Sequence, residues 1–454
     1  MTPSHDRSQR SHGSTLLLVL WTISVTTLIV IALQLSAYRQ ASEGRQTLGR
    51  VRAKWAARAG VEAVIAYVGW DTESEFSYNP DQFAIDLAEI AMSEEDELNQ
   101  ATYSIGHSEY GERVDGPADA HAKYNVNRMT DDHWWLLSDL LEDGLDEEMV
   151  ASITDWMDGD DEVTEGGAEG EFYYFMPYPY EVRNGRVGSL MELELIKGID
   201  PIRVRGEDWN LNGLLEISED DGDLTWPNYD NFDGKLDAGW SRYLTTRSRA
   251  GGWADSGQPR VDLAGAETDE IVSRLDVDFV QAQALTTFAG GSGASLAQLI
   301  ATPLSELVSS QGDNNNQQQG QTPPPSDLTD NQLRLVLAEA TIRNNEDGMP
   351  GKLNLNTCDY DLLQFLPDVD LTLANQIDFA RSVTPFASLL DLADRIPDLE
   401  PEQIVQLAEV ADVRSNVFVI ASTGTADPGR TSVELVVTID RSSLPIRIVE
   451  YMER

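Results

Sequence analysis

The chain has 454 residues, enough for roughly two to four structural units, and its 78 Asp and Glu residues against 32 Lys and Arg leave a formal net charge of −46. That charge repels phosphate backbones and anionic lipid headgroups, which makes nucleic acid a poor default partner, whereas the carboxylates either keep the chain soluble or bind divalent cations such as calcium. Cys358 is the only cysteine, so an intramolecular disulfide is excluded.

A short polar leader and an uncharged apolar segment open the chain. Residues 14–37 form a run of 24 residues without a charge, about 36 Å long as a helix, which is enough to cross a hydrocarbon core of roughly 30 Å. Arg7 and Arg10 in the leader favour a cytoplasmic amino terminus and an outward-facing carboxyl-terminal bulk. The run exceeds the roughly 7 to 15 apolar residues of a secretory signal peptide, so we predict one transmembrane helix that continues beyond the bilayer as a long helix.

The soluble part mixes short strands, helices and one low-complexity segment. Alternating residues predict strands at 101–107 and 121–127, paired as a hairpin, and a helical period covers residues 131–158. Residues 309–326 are polar and of low complexity, which predicts a flexible linker, and residues 327–346 read as a helix. Alternating segments at 415–424, 431–440 and 445–454 predict three closing strands.

One acidic segment fits the pattern of a calcium loop. Residues 208–219 match D-x-[DN]-x-[DN]-G-x5-E in full, and Gly213 stands where the loop needs a sharp turn. The candidate ligands are the side chains of Asp208, Asn210, Asn212, Glu216 and Glu219 and the carbonyl of Leu214. Flanking helices are not evident, so we predict an isolated calcium loop. A weaker second loop follows, with Asp230, Asp233 and Asp237 as candidate ligands, and its alternative is a solvated acidic turn.

No set of residues indicates catalysis. None of the five histidines lies in a metal-hydrolase spacing, and neither a nucleophile elbow nor a phosphate loop occurs. We therefore predict that the protein is not an enzyme.

Between residues 155 and 198 several short motifs follow one another. They are Asp-Trp-x-Asp-x-Asp at 155–160, Gly-Ala-Glu at 167–169, two tyrosines at 173–174, Pro-Tyr at 177–178, Asn-Gly at 184–185, Ser-x-x-Glu-Leu at 189–193 and Lys-Gly at 197–198. Their order and spacing resemble those of the GspK family of type II secretion minor pseudopilins.

The amino terminus carries the same resemblance. A basic leader ending in Gly13 is similar to a prepilin processing site, with cleavage between Gly13 and Ser14. Ser14 departs from the Phe or Met that usually begins the mature chain. Leu18 is the fifth mature position, where major pilins have a glutamate that GspK-like proteins typically lack, so the resemblance implies a subunit suited to starting the filament.

The resemblance implies an α+β fold: a pilin-like long N-terminal helix packed on an antiparallel sheet, with a large, mostly helical inserted domain containing a helix-hairpin-helix-like module. The expected units are a leader at 1–13, a transmembrane helix at 14–37, the spine helix and first strands at 38–130, an inserted helical domain with calcium loops at 131–308, a disordered linker at 309–326, the helix-hairpin-helix-like module at 327–412 and C-terminal strands at 413–454. Calcium sites in the inserted domain are also implied. Asp155, Asp158, Asp160 and Glu169 are further carboxylates that either join such a site or form a hydrated loop.

The implied function is structural. A minor pseudopilin of this family stands at the tip of the secretion pseudopilus, supports protein export, and is expected to undergo methylation. Its expected partners are other minor pseudopilins, prepilin peptidase and the inner-membrane secretion platform. The expected location is the bacterial inner membrane, crossed once, with a cytoplasmic amino terminus and a periplasmic head.

A helix-hairpin-helix-like segment supplies the main alternative. Residues 352–396 resemble the module of DNA-uptake proteins, so a membrane-anchored protein that binds or takes up DNA is the second hypothesis. The hairpin here is Leu-Pro-Asp-Val at 366–369, with Asp368 in the position where DNA-binding versions have glycine. Because this carboxylate repels phosphate, we expect a packing role and no nucleic acid. A calcium-dependent adhesin on a plain signal anchor is the third hypothesis.

Overall fold

The computed structural model describes residues 12–74, 79–92, 101–109, 112–141, 145–222, 224, 226, 230–311, 325–342, 349–397, 399–427 and 431–454. A helix of 62 residues, α1 (His12–Glu73), dominates the amino-terminal part. Its first half is apolar and exposed, whereas its second half alternates charged residues with small and branched ones that pack on a sheet.

The remaining helices are short. They are α2 (Pro80–Glu89), α3 (Asp131–Leu137), α4 (Glu147–Met157), α5 (Gly170–Tyr174), α6 (Pro201–Arg205), α7 (Thr268–Leu275), α8 (Phe279–Ala289), α9 (Gln298–Ala301), α10 (Leu304–Gln311), α11 (Asp330–Glu339), α12 (Tyr360–Leu363), α13 (Leu371–Val383), α14 (Leu390–Arg395) and α15 (Pro401–Val410). Short 3-10 turns lie at Ala120–Ala122, Val126–Arg128, Leu190–Leu195, Ile217–Glu219 and Gly239–Arg242. Many begin with a local signal: Asp146, Asp200 and Asp370 each accept a backbone N–H of the first turn.

The strands are β1 (Ala101–Glu109), β2 (Glu112–Asp115), β3 (Ala118–Asp119), β4 (Tyr124–Asn125), β5 (Leu244–Thr245), β6 (Val261–Asp262), β7 (Ala340–Thr341), β8 (Leu353–Asn354), β9 (Ala411–Asp412), β10 (Val417–Ala426), β11 (Thr431–Asp440) and β12 (Arg447–Glu453). The main sheet is antiparallel and has the order β12-β11-β10-β1-β2, with β3 also paired to β10. Because β1 comes from the start of the soluble region and β10 from its end, everything between residues 120 and 416 is inserted between neighbouring strands of one sheet.

Helix α1 packs against this sheet through small and branched residues. Ala53, Ala57, Val61, Val64 and Val68 are buried in a core shared with β1, β10 and β11. The pattern follows the helical period of 3.6 residues and gives α1 one apolar stripe for the sheet. The α+β fold with a long amino-terminal helix on an antiparallel sheet is therefore confirmed.

The inserted residues form two further hydrophobic cores. One contains buried side chains from residues 124–244 and also from residues 353–413, so α3 and α4 share a core with α12 to α15. The other is built from residues 261–340. Three two-residue parallel pairs, β4 with β5, β6 with β7 and β8 with β9, join segments far apart in sequence.

The predicted hairpin of 101–107 with 121–127 is wrong. Strand β1 forms its hairpin with β2, which starts three residues after β1 ends. The nearer segment wins because closing so short a connection costs little entropy. Tyr124 and Asn125 pair instead with Leu244 and Thr245, in parallel.

In the predicted linker at 309–326, α10 extends to Gln311, and residues 312–324 lie outside the described part of the chain.

Candidate functional site

The apolar first half of α1 is exposed along its length. Between Thr15 and Glu73 the most apolar stretch has a mean hydropathy of 2.6 and is 0% buried, and in the described chain this is the one helix long and apolar enough to cross a membrane. Gly13 and Ser14 lie in its first turns, and the Leu18 side chain is 64% exposed. An apolar surface of this kind fits a lipid environment. Cleavage between Gly13 and Ser14, and the assembly role of Leu18, stay predictions.

The first acidic loop is closed by its own predicted ligands. The Asp208 carboxylate is buried and accepts the N–H groups of Asn212 and Gly213 at 2.9 and 2.8 Å. Asn210 Oδ1 accepts the Asn212 N–H at 2.9 Å, and Asn212 Oδ1 accepts that of Leu214 at 2.7 Å. Gly213 has φ +73°, the left-handed conformation that the pattern requires. The alternating Asp and Asn side chains therefore line one turn, as the spacing predicts.

Glu219 returns to the start of this loop. Its carboxylate is buried and accepts the N–H groups of Trp209 at 3.2 Å and Glu216 at 3.1 Å. Glu216 is exposed, and its Oε1 accepts a hydrogen bond from Asn212 Nδ2 at 3.0 Å. The hydroxyl of Ser108 on β1 donates to the Gly213 carbonyl, so the loop contacts the main sheet.

The second acidic loop is more open. Asp233 and Asp237 are exposed and bind nearby backbone N–H groups of Lys235 and Gly239, at 2.8 and 3.1 Å. Asp230 accepts the Phe232 N–H at 2.6 Å and also the Gly222 N–H. These are the contacts of acidic turns, and they do not by themselves gather the three carboxylates around one point.

Sequence reasoning missed Glu207, which joins the two loops. Its buried carboxylate accepts the N–H groups of Asn231 at 3.0 Å and Asp237 at 3.1 Å, while Asp208 follows it in the first loop. Burial raises the pKa of Glu207, and the nearby charges of Asp230 and Asp237 raise it further. A carboxylate directly before the loop pattern was the signal available in the sequence.

A third acidic cluster brings together three of the four further carboxylates. Oxygen atoms of Asp155, Asp158 and Glu169 lie within 4.8 Å of one another. Asp155 accepts the Thr164 N–H at 3.1 Å, whereas both buried oxygens of Glu169 have no hydrogen-bond partner in the described chain. Asp160 is outside this cluster and accepts the N–H of Glu162 at 2.8 Å.

The electrostatics of these sites favour a cation. Burial raises the pKa of Asp208 and of Glu219, and the charge of Asp208 adds to the effect at Glu219. Burial also raises the pKa of Glu169, as do the charges of Asp155 and Asp158. Buried carboxylates that repel one another are costly when ionised, and a hard cation with oxygen ligands offsets that cost. The donor sets of the first loop and the third cluster thus fit calcium.

The helix-hairpin-helix-like segment has acidic groups where a phosphate would bind. Asp368 adopts φ +56°, the conformation for which DNA-binding hairpins use glycine. The start of α13 is capped by Asp370, whose carboxylate accepts the Leu373 N–H at 2.8 Å. A carboxylate therefore already occupies the position of an anion at this helix start. Cys358 is buried nearby and its pKa is raised to about 12 by burial, which makes it an inert thiol.

A long amino-terminal helix packed on an antiparallel sheet, with a mostly helical segment inserted between neighbouring strands, defines an α+β protein. Residues 122–205 match the family model described as "Type II secretion system (T2SS), protein K". The family resemblance predicted from the motifs at 155–198 is thereby confirmed over this part of the chain, which is similar to protein K of the type II secretion system.

Two further similarities accompany this match. Type II secretion system protein K of Pectobacterium carotovorum subsp. carotovorum is 37% identical over 54 residues, which cover 12% of this chain and 16% of that relative. A chain in the crystal structure of the GspK-GspI-GspJ complex from the enterotoxigenic Escherichia coli type 2 secretion system is 12% identical, with a TM-score of 0.39 and coverage of 92% of this chain and 99% of that chain.

Proposed function

We propose that this protein is a structural minor pseudopilin at the tip of a type II secretion pseudopilus, where it supports filament assembly and protein export. The match of residues 122–205 to the protein K family model is the observation that carries the proposal. The exposed apolar half of α1 supports it, because such a helix packs beside the helices of sister subunits and anchors the chain before assembly. The large insertion between β1 and β10 supports a tip position, since a bulky head blocks addition of further subunits above it.

The proposed setting follows from the same features. The chain crosses the inner membrane once, with its head in the periplasm, and is processed by prepilin peptidase between Gly13 and Ser14. Its partners are other minor pseudopilins and the inner-membrane secretion platform. No catalytic role is proposed. The DNA-binding alternative is not favoured, because Asp368 and Asp370 place carboxylates at the hairpin.

A secretion assay tests this function. In the native host, deletion of the gene is expected to leave secreted enzymes in the periplasm, and the intact gene restores export. Gly13→Leu is expected to abolish restoration because the processing site is lost. Gly44→Leu is the matched control, since Gly44 is exposed on α1 with open space around its Cα. Normal export by the deletion strain, or loss of DNA uptake alone, would contradict the proposal.

Calcium is the proposed structural ion of the head, bound at the first loop and the third cluster and more weakly at the second loop. At free calcium 100-fold above the dissociation constant, each filled site adds about 2.7 kcal/mol to the free energy of unfolding. We expect calcium titration of the full chain in detergent micelles, followed by calorimetry, to show saturable binding that raises the unfolding temperature.

Three single changes assign the calcium sites. Asp208→Asn, Asp233→Asn and Glu169→Gln each alter one candidate site, and each is expected to remove the corresponding binding event. Asp269→Asn, at an exposed carboxylate of α7, is the control and is expected to leave the stoichiometry unchanged. If calcium neither binds nor stabilises the unmodified chain, the loops are held by their hydrogen bonds alone.

A further inference from the structure

A cavity in the inserted region has a charge balance opposite to that of the whole chain. Its volume is about 460 Å³, and the four cations Arg128, Arg260, Lys352 and Arg414 line it. The carboxylates in the lining are Asp255, Glu409 and Asp412. In a protein with more than twice as many acidic as basic residues, a cavity where cations outnumber carboxylates is an exception that calls for a physical reason.

Only one of these cations has a carboxylate partner in an ion pair within the described residues. Arg414 pairs with Asp255. Arg260 donates instead to the carbonyls of Leu337 and Ala340, at 3.1 and 3.2 Å. Carbonyl groups orient a guanidinium but do not neutralise its charge.

Arg128 and Lys352 are held in the same way. Arg128 donates to the Glu409 and Pro350 carbonyls at 2.6 and 3.3 Å, and Lys352 Nζ donates to the Ala408 carbonyl. Burial lowers the pKa of Lys352 and of Arg128, although the charge of Asp412 partly opposes this. Three oriented and largely desolvated cations thus face one cavity without ion-pair partners in the described chain.

A buried histidine on the same cavity is the second, independent observation. The His121 side chain is 2% exposed, and its Nδ1 donates to the Lys352 carbonyl at 2.9 Å. Its Nε2 is buried and has no hydrogen-bond partner in the described chain. Burial lowers the pKa of His121, and the charges of Asp119 and Asp412 only partly oppose this. A bound anion would act in the same direction as these two carboxylates and favour a second proton on Nε2, which then donates to the anion.

We propose that this cavity binds a small oxyanion, carried as a phosphate, sulfate or carboxylate group on a small molecule. Arg128 and Arg260 suit such a group because a guanidinium donates in a fixed planar fork, and Lys352 adds a compact charge. The cavity is lined by Ala340, which belongs to the core built from residues 261–340, and by Val413, which belongs to the core shared by residues 124–244 and 353–413. A bound anion therefore stabilises the contact between the two inserted cores, independently of the pseudopilin function.

Titration calorimetry of the full chain in detergent micelles tests the proposal, with sodium sulfate and sodium succinate as probes and sodium chloride at matched ionic strength as the reference. We expect saturable binding of at least one probe at low millimolar concentration or below. Lys352→Met and Arg260→Gln are each expected to weaken it at least tenfold. Arg247→Gln is the matched control, because Arg247 is exposed and pairs with Glu450 outside the cavity.

The variants also distinguish a binding defect from misfolding. Arg260 donates to the carbonyls of Leu337 and Ala340 beside β7, so a loss of binding in Arg260→Gln alone would not separate a binding defect from misfolding. Lys352→Met is therefore measured as well, and circular dichroism of both variants checks that they fold. Binding of neither probe, or equal binding by Lys352→Met and the unmodified chain, would overturn the proposal.

Glu346 and Asp347 lie in the sequence between the lining residues Ile342 and Met349. Binding seen only after Glu346→Gln with Asp347→Asn would also overturn it, because the chain would then neutralise its own cations.

Discussion

Replacement of Arg441 by methionine is expected to lower the free energy of unfolding by about 3 to 5 kcal/mol, because it removes one partner of a buried ion pair. The Arg441 side chain is 1% exposed, and its Nη1 lies 2.8 Å from Asp71 Oδ2 near the end of α1. Its Nε donates to the Ser415 carbonyl at 2.8 Å, and the guanidinium lies over the rings of Phe83 and Phe418, at 4.7 and 5.4 Å from their centroids. Urea unfolding of the full chain in detergent micelles, followed by tryptophan fluorescence, measures the loss.

Two further variants show whether loss of the buried ion pair causes the expected drop in the free energy of unfolding. Asp71→Asn together with Arg441→Met is expected to cost less than the sum of the single changes, because no unpaired carboxylate remains. Lys54→Met breaks a second ion pair of α1, with Glu453 on β12, but Lys54 and Glu453 are exposed and little change is expected. An Arg441→Met chain as stable as Lys54→Met would contradict the assignment.

Gly424→Ala is expected to destabilise the packing of α1 on the sheet by about 3 kcal/mol, at the upper end of the cost of overpacking. A Cβ at Gly424 on β10 would lie 1.9 Å from the Ala53 carbonyl oxygen and 2.5 Å from the Ala57 nitrogen. Both atoms belong to the backbone of α1, so no change of side-chain rotamer relieves the clash. The helix must move away from the sheet, which loosens the core around Val61 and Ile420.

The same substitution at an open position separates this effect from the general cost of losing a glycine. Gly44→Ala, on the exposed part of α1, is expected to preserve or slightly increase stability, because alanine is the better helix former and nothing lies within 4 Å of the added Cβ. The midpoint of urea unfolding in micelles is measured for both variants. Equal midpoints would show that α1 and β10 do not approach as closely as described.

Local patterns in the sequence determined several elements of this protein. The uncharged run at 14–37 predicted an apolar helix, because membrane-spanning length and composition are properties of one continuous segment. Alternation at 431–440 predicted β11 with its exact bounds. The loop at 208–219 closes through hydrogen bonds among its own residues, so the spacing of Asp208, Asn210 and Asn212 was sufficient to predict its turn. The motifs at 155–198 were sufficient to predict the family model that residues 122–205 match.

Only the tertiary structure decided which distant segments meet. Strand β1 pairs with β10, more than 300 residues later, as well as with β2. The predicted hairpin with residues 121–127 was wrong because alternation of residues indicates a strand but not which strand it pairs with. Glu207 links the two acidic loops because the chain folds back and brings Asn231 to its carboxylate. Glu169 lies beside Asp155 and Asp158 because the segment between residues 158 and 169 also folds back. The pairing of Arg441 with Asp71 and the gathering of cations around His121 likewise depend on chain folding, since spacing along a sequence carries no information about contacts between segments that far apart.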